Sequence, residues 1–170
     1  MTVNYKIDAS YEIRKYLWDQ FLTIGIFEED DYWSDNLGEV TVPIIPVQQN
    51  AEMNQFLSGK KHIVYDKIGM SYEDNWMICC EQIAFTLYAT NVAEIGEMRN
   101  FITDLFRRMD DSAADVNTFL GVNSKFKFHS IYVAEISPTE PSEELKGFFS
   151  ADVIIEAKYS RKVDGRGRFL

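Results

Sequence analysis

The chain has 170 residues, of which 46% are hydrophobic and 14% aromatic, enough to fill one core and to exclude wholesale disorder. Its 17 basic and 27 acidic side chains leave a formal charge of −10, which excludes nucleic-acid binding driven by bulk positive charge. No run approaches 18 apolar residues and Met1 to Asp8 lacks the order of a signal peptide, so neither a membrane-spanning nor a secreted protein is expected.

From Asp8 to Ile24, the residues Ile13, Leu17, Phe21 and Ile24 recur at steps of four, four and three, which predicts an amphipathic helix. Asp8 is placed to cap it, and Gly25 stands where a left-handed C-cap is needed. The run Glu28 to Asp31, followed by Tyr32 and Trp33, reads as an exposed loop. Between Glu39 and Gln48 the β-branched residues favour extended chain, while Pro43 and Pro46 restrict it to an edge strand or an irregular segment. Asn50 to Gly59 predicts one or two helical turns, and Lys61 to Ile68 a short strand closed by Gly69.

Asn75 to Thr90 gives the longest strand, its period of two along Met77, Cys79, Ile83, Phe85, Leu87 and Ala89 broken only by Glu81. Asn91 followed by Glu94 resembles a capping box. Behind it, Ile95, Met98, Ile102, Leu105 and Met109 form the strongest helical pattern in the chain. Asp110 to Ser112 open a shorter helix that ends at Gly121. Lys125 to Ile136 predicts a strand with Phe126, Phe128, Tyr132, Ala134 and Ile136 on one face.

Ser137 to Glu144 has two prolines and no apolar residue, so a projecting loop is expected. Gly147 to Arg161 is the cleanest strand, with Phe149, Ala151, Val153, Ile155, Ala157 and Tyr159 inward. The partial segregation of helices and strands predicts an α+β fold: an antiparallel, mainly four-stranded sheet with helices over one face. Residues 1–161 then form a single domain and residues 162–170 a flexible basic arm.

Catalytic motifs are absent: there is no glycine-rich phosphate loop, G-x-S-x-G, CxxC or HExxH. Adjacent Cys79 and Cys80 point to opposite faces of a strand and read as reduced thiols. His62 and His129 read as partly exposed strand residues, and Glu28 to Asp31 lack the glycine and alternating oxygens of a calcium loop. No enzyme activity, cofactor or metal is therefore expected. Glu81, Asp152 and Glu156 are expected to face water, at a free surface or along an oligomer channel.

Tyr32, Trp33, Tyr72 and Trp76 lie in or beside polar loops and mark candidate contact surfaces. The proline loop with Pro138, Glu140 and Pro141 adds a candidate contact arm, and the tail with Arg166, Arg168, Phe169 and Leu170 adds another.

The succession of elements resembles the tail terminator, or tail-completion, family of tailed bacteriophages. The resemblance lies in the helix containing Ile13 to Leu17, the strand Ile63 to Asp66, the long strand Ile78 to Tyr88, the helix Glu94 to Arg108 and the last strand Phe148 to Tyr159. The stretches NQFLSGKKHIVYDKIG, SYEDNW, DLFRRMDDSA and GFFSADVIIEAKYSR are also similar to neck proteins of contractile-tailed phages related to the T4-like group.

The chain departs from the shorter family pattern at Val47 to Lys60, at Ser137 to Glu144 and after Arg161. The resemblance implies a virion protein assembled in the host cytoplasm. It implies a ring, expected to be a hexamer, that caps the tail tube, ends its polymerisation and meets the head connector, with sheath proteins as a further expected neighbour. DNA passes through such a ring without specific binding. Other readings are a head-completion or sheath-capping neck protein or, from a different class, a small α+β ligand-binding domain or enzyme.

Overall fold

The structure, a computed structural model, describes residues 8–72 and 78–162 together with Arg166. Helix α1 covers Ala9–Ile24 and stops where Gly25 adopts φ 81°, accepting the left-handed geometry that a residue with a Cβ resists. Asp8 makes no side-chain cap bond; its carboxylate lies 3.8 Å from Lys67 Nζ instead. After a 3-10 turn at Glu29–Tyr32, two short strands, β1 (Trp33–Ser34) and β2 (Glu39–Val40), pair as a small hairpin.

The main sheet has six strands among the described residues: β3 (Ile44–Pro46), β4 (His62–Tyr72), β5 (Ile78–Ala89), β6 (Phe126–Ile136), β7 (Glu140–Pro141) and β8 (Phe149–Arg161). Their order is β3-β4-β5-β8-β6, with β7 also on β8. The α+β class and a largely antiparallel sheet stand, whereas the expected count of mainly four strands does not. Strand β3 adds a parallel edge beside β4, the place in a sheet that Pro46 tolerates, and the other pairings are antiparallel. The one-turn helix α2 (Asn50–Met53) follows β3.

Gly69 does not close β4. The strand runs on to Tyr72 across a bulge at Ile68, with Gly69 lying opposite Gln82. In β6, bulges between Phe128 and Ser130 and between Val133 and Glu135 reset the alternation. Ile131 therefore turns inward, and Tyr132 stands opposite Glu156 on the other face, contrary to the unbroken period expected from sequence.

The segment after β6 also departs from expectation. It continues the hairpin along β8 after a one-residue offset: Ile136 pairs with Val153, and Glu140 with Ser150. Ser137 N donates to Asp152 O, and Ser142 N to Phe148 O, so the prolines occupy positions that need not donate. The true tip is Ser142 to Phe148, turned by Gly147 at φ 86°.

Helices α1, α3 (Val92–Leu105) and α4 (Met109–Leu120) enclose the core. Asn91 caps α3 by accepting the Ala93 N–H at 2.7 Å. Phe21 meets Phe27 and Phe101, while Tyr16 meets Phe106 and Phe119, so aromatic rings of α1 lock the helices together. The facing sheet side carries Ile63, Ile83, Phe85, Leu87, Val153 and Ile155, all fully buried.

The free edge of β6 is met by a side chain: Asn117 of α4 donates to Phe128 O at 2.8 Å and accepts from Phe128 N at 2.9 Å. Substitution Asn117→Ala leaves both backbone groups without these partners and should cost about 1–3 kcal/mol in urea denaturation. A loss below about 0.5 kcal/mol would show that water replaces the amide at this edge.

Candidate functional site

The sheet has two unlike sides. Antiparallel neighbours share a face, so the registers of β4, β5, β8 and β6 place Asp66, Gln82, Ala84, Thr86, Asp152, Ile154, Glu156, Lys158 and Tyr132 together, away from the helices. These residues are half-buried or exposed, while their neighbours along each strand are largely buried. This outer face is the candidate functional surface.

Its carboxylates are held in place. Thr86 Oγ1 donates to Asp152 Oδ1 at 2.7 Å. Glu156 accepts from Gln82 Nε2 at 3.4 Å, from Cys80 Sγ at 3.2 Å and from the Tyr132 hydroxyl. The Tyr132 bond, more than any other contact, holds the Glu156 carboxyl below its usual range, so it stays ionised at neutral pH. The same bond pushes the Tyr132 phenol up to about 12. At the far end His129 Nε2 lies 2.9 Å from Ser160 Oγ.

Asp152 and Glu156 thus stand on one outward face as expected, but Glu81 does not join them. It is fully buried on the helix side, opposite Ala157. Tyr159 donates its hydroxyl to Glu81 Oε2 at 2.5 Å, and Lys67 Nζ lies 3.5 Å from Oε1. Desolvation pushes the Glu81 carboxyl above its usual range, against the opposing pull of Tyr159 and Lys67. Tyr159 is raised by burial first and by Glu81 second, so it remains the donor.

The candidate contact residues divide in the same way. Tyr32 is not a surface residue: it is 2% exposed, packs on Trp18 and Phe27, and donates its hydroxyl to Lys61 O. Its neighbour Trp33 is 50% exposed, and Tyr72 is exposed as well. Pro138, Glu140 and Pro141 are exposed but bound to the sheet through β7 and the Ser137 bonds. Arg166 is exposed; Trp76, Arg168, Phe169 and Leu170 lie outside the described residues. Lys162 is tied down, its N–H donating to Lys125 O and its ammonium to Val122 O, so it belongs to the domain and not to an arm.

His62 is also buried, contrary to expectation. Its Nδ1 donates to Lys60 O at 2.9 Å, its ring stacks on Tyr88, and Phe148 of the hairpin tip meets it edge-on. Burial lowers its pKa, opposed by the Lys60 bond. Glu144 of the tip accepts from Tyr88 at 3.0 Å, which ties the tip over this corner of the outer face. Tyr132, Tyr159 and Lys67 were not singled out by the sequence, because only strand register brings each to its carboxylate. Cys79 and Cys80 are both free thiols, the first buried and the second half-exposed.

The chain matches no protein-family model, and no curated protein matches its sequence.

Glu81 makes a pH-dependent contribution whose sign follows from its raised pKa. The folded state binds this proton more tightly than the unfolded chain, so the charged form costs stability above the folded pKa. That cost disappears as pH falls through the folded pKa toward the ordinary carboxyl value. Glu81→Gln should therefore lie furthest above the parent in stability at neutral pH, and the gap should close on acidification. Urea denaturation of both proteins across this range checks it; a gap that widens toward acid would reverse the assignment.

Proposed function

We propose that this chain is a structural protein of the phage neck, forming a ring that caps the tail tube, ends its polymerisation and joins the tail to the head connector. The observation that carries the reading is the outer sheet face, where Asp152 and Glu156 are fixed by hydrogen bonds and left facing solvent. A passage for DNA needs a wall that does not trap phosphate. Ionised carboxylates on a rigid sheet supply one, since each repels the backbone and none releases condensed counterions on contact.

Asp66, Glu135, Asp152 and Glu156 all put carboxylates on this face, with Lys158 and Lys127 toward one end. The resemblance described above supplies the ring, the tube and the connector. The exposed aromatics Trp33 and Tyr72 suit a component with several neighbours.

Native mass measurement and negative-stain imaging, with and without tail tubes, test the reading directly. One dominant closed ring is expected, and a chain that stays monomeric and joins no tube overturns it. In the ring, Asp152→Lys with Glu156→Lys should leave assembly intact while tightening DNA binding on the order of tenfold at low salt, with a steeper salt dependence. Unchanged DNA binding would remove these two residues from the passage.

A further inference from the structure

The net charge hides a strong separation between the two ends of the sheet. Ser150 of β8 is level with Tyr88 and hence with His62; Ser160 is level with Ile78 and Lys127. These levels are ten residues apart on one strand, about 34 Å at ~3.4 Å per residue.

At the Ser160 end, the turn between α4 and β6 projects Val122, 90% exposed, with Phe119 beside it at 42%. A shallow groove lies on each flank of this turn. One is bounded by Lys15, Phe119, Lys125 and Phe126, the other by Val122, Phe126, Lys127 and Lys162. Four lysines therefore rim an apolar centre. Glu12, a carboxylate of the first groove, lies 3.4 Å from Lys15 Nζ and offsets its charge, so the basic character of this end rests on Lys125, Lys127 and Lys162.

The His62 end carries the inverse arrangement. Tyr32 donates to Lys61 O and Lys60 Nζ donates to Asp31 O, which fixes the 3-10 turn and the β1–β2 hairpin beside the start of β4. This unit projects Leu37, 68% exposed, and Trp33, 50% exposed. Around them stand Glu28, Glu29, Asp30, Asp31, Asp35 and Glu39, every one exposed, and no basic residue occurs from Glu28 to Glu39.

We infer that the acidic β1–β2 knob of one copy docks on the lysine-rimmed α4–β6 turn of the next. The two patches match in kind, each with an apolar centre and a rim of opposite sign, the pattern that steers association and fixes its register. Each copy carries both patches, one at either end of the sheet, so it can offer the knob to one neighbour and the lysine rim to another. The contact is heterologous, and such contacts close into rings when their rotation permits. The inference rests on the ring reading and adds the surfaces that would build it.

Charge exchange tests it. Lys125→Glu with Lys127→Glu makes both ends acidic, and Glu29→Lys with Asp35→Lys makes both less complementary; all four positions are exposed, and circular dichroism verifies the fold. Each double variant alone should self-associate about tenfold or more weakly in sedimentation at moderate salt. The quadruple variant, with both rims reversed, should recover assembly, a result that general loss of stability cannot produce.

If the parent forms rings and both double variants do so equally well, this contact is wrong while the ring reading stands. If the parent is monomeric at every concentration and on tail tubes, both fail. If the parent's lysine-rimmed end instead captures a short fluorescent DNA at physiological salt, and Lys125→Glu with Lys127→Glu abolishes that capture without affecting assembly, the partner assigned here is overturned.

Discussion

Strand β8 is hydrogen-bonded on both sides along nearly its whole length, to β5 on one side and to β6 and β7 on the other. Its alternation admits one register only. A slip of one residue would drive Asp152, Glu156 and Lys158 beneath the helices and expel Val153, Ile155 and Ala157. The helices, the bulges of β6 and the fold-back of β7 all accommodate that fixed strand. Where β6 would fall out of phase, a bulge restores Ile131 to the core; where the prolines interrupt the ladder, a one-residue offset lets it resume.

The same register decides how the carboxylates behave. Opposite Ala157 the small side chain leaves room on the core side, and Glu81 occupies it with a phenol and an ammonium for company. On the reverse side, Glu156 and Asp152 receive hydroxyl, amide and thiol donors and keep contact with water. Burial raises the one pKa and hydrogen bonding lowers that of Glu156, so acids on the two faces of one sheet differ in character. An outer face that remains charged and stiff suits the DNA passage proposed above, whereas the inner carboxyl held by Tyr159 is kept from solvent.

Local signals were legible where a single element decides them. The steps from Ile13 to Phe21 in α1 and from Ile95 to Ile102 in α3, Gly25, the Asn91 cap and the inward row of β8 follow from residue spacing, and the structure carries each; the ends of both stripes do not hold, since Ile24 is 58% exposed and Met109 opens α4 after a break. What escaped depends on partners distant in sequence. Glu81 broke an apolar row and suggested water, but Tyr159, 78 residues away, makes its burial tolerable. Tyr32 followed four acids and suggested a surface, yet Trp18, Phe27 and the carbonyl of Lys61 draw its ring inward. The bulges at His129 and Ala134 leave no mark in composition, and the parallel pairing of β3 requires knowing that β4 lies beside it. Of the candidate surface, the alternation of β8 gave Asp152 and Glu156 their direction, but not the donors that fix them.

The neighbouring cysteines bear on how the protein meets oxidants. The β pleat sends Cys79 inward and Cys80 outward, so they do not meet each other. Burial, and then the carboxylate of Glu156, push the Cys80 thiol up to about 11, and burial raises Cys79 as well. The thiolate is the form that attacks disulfides and peroxides, and at neutral pH almost none is present at either site. In air the protein would meet oxidants with both thiols held in their unreactive state, slow to cross-link one copy to another.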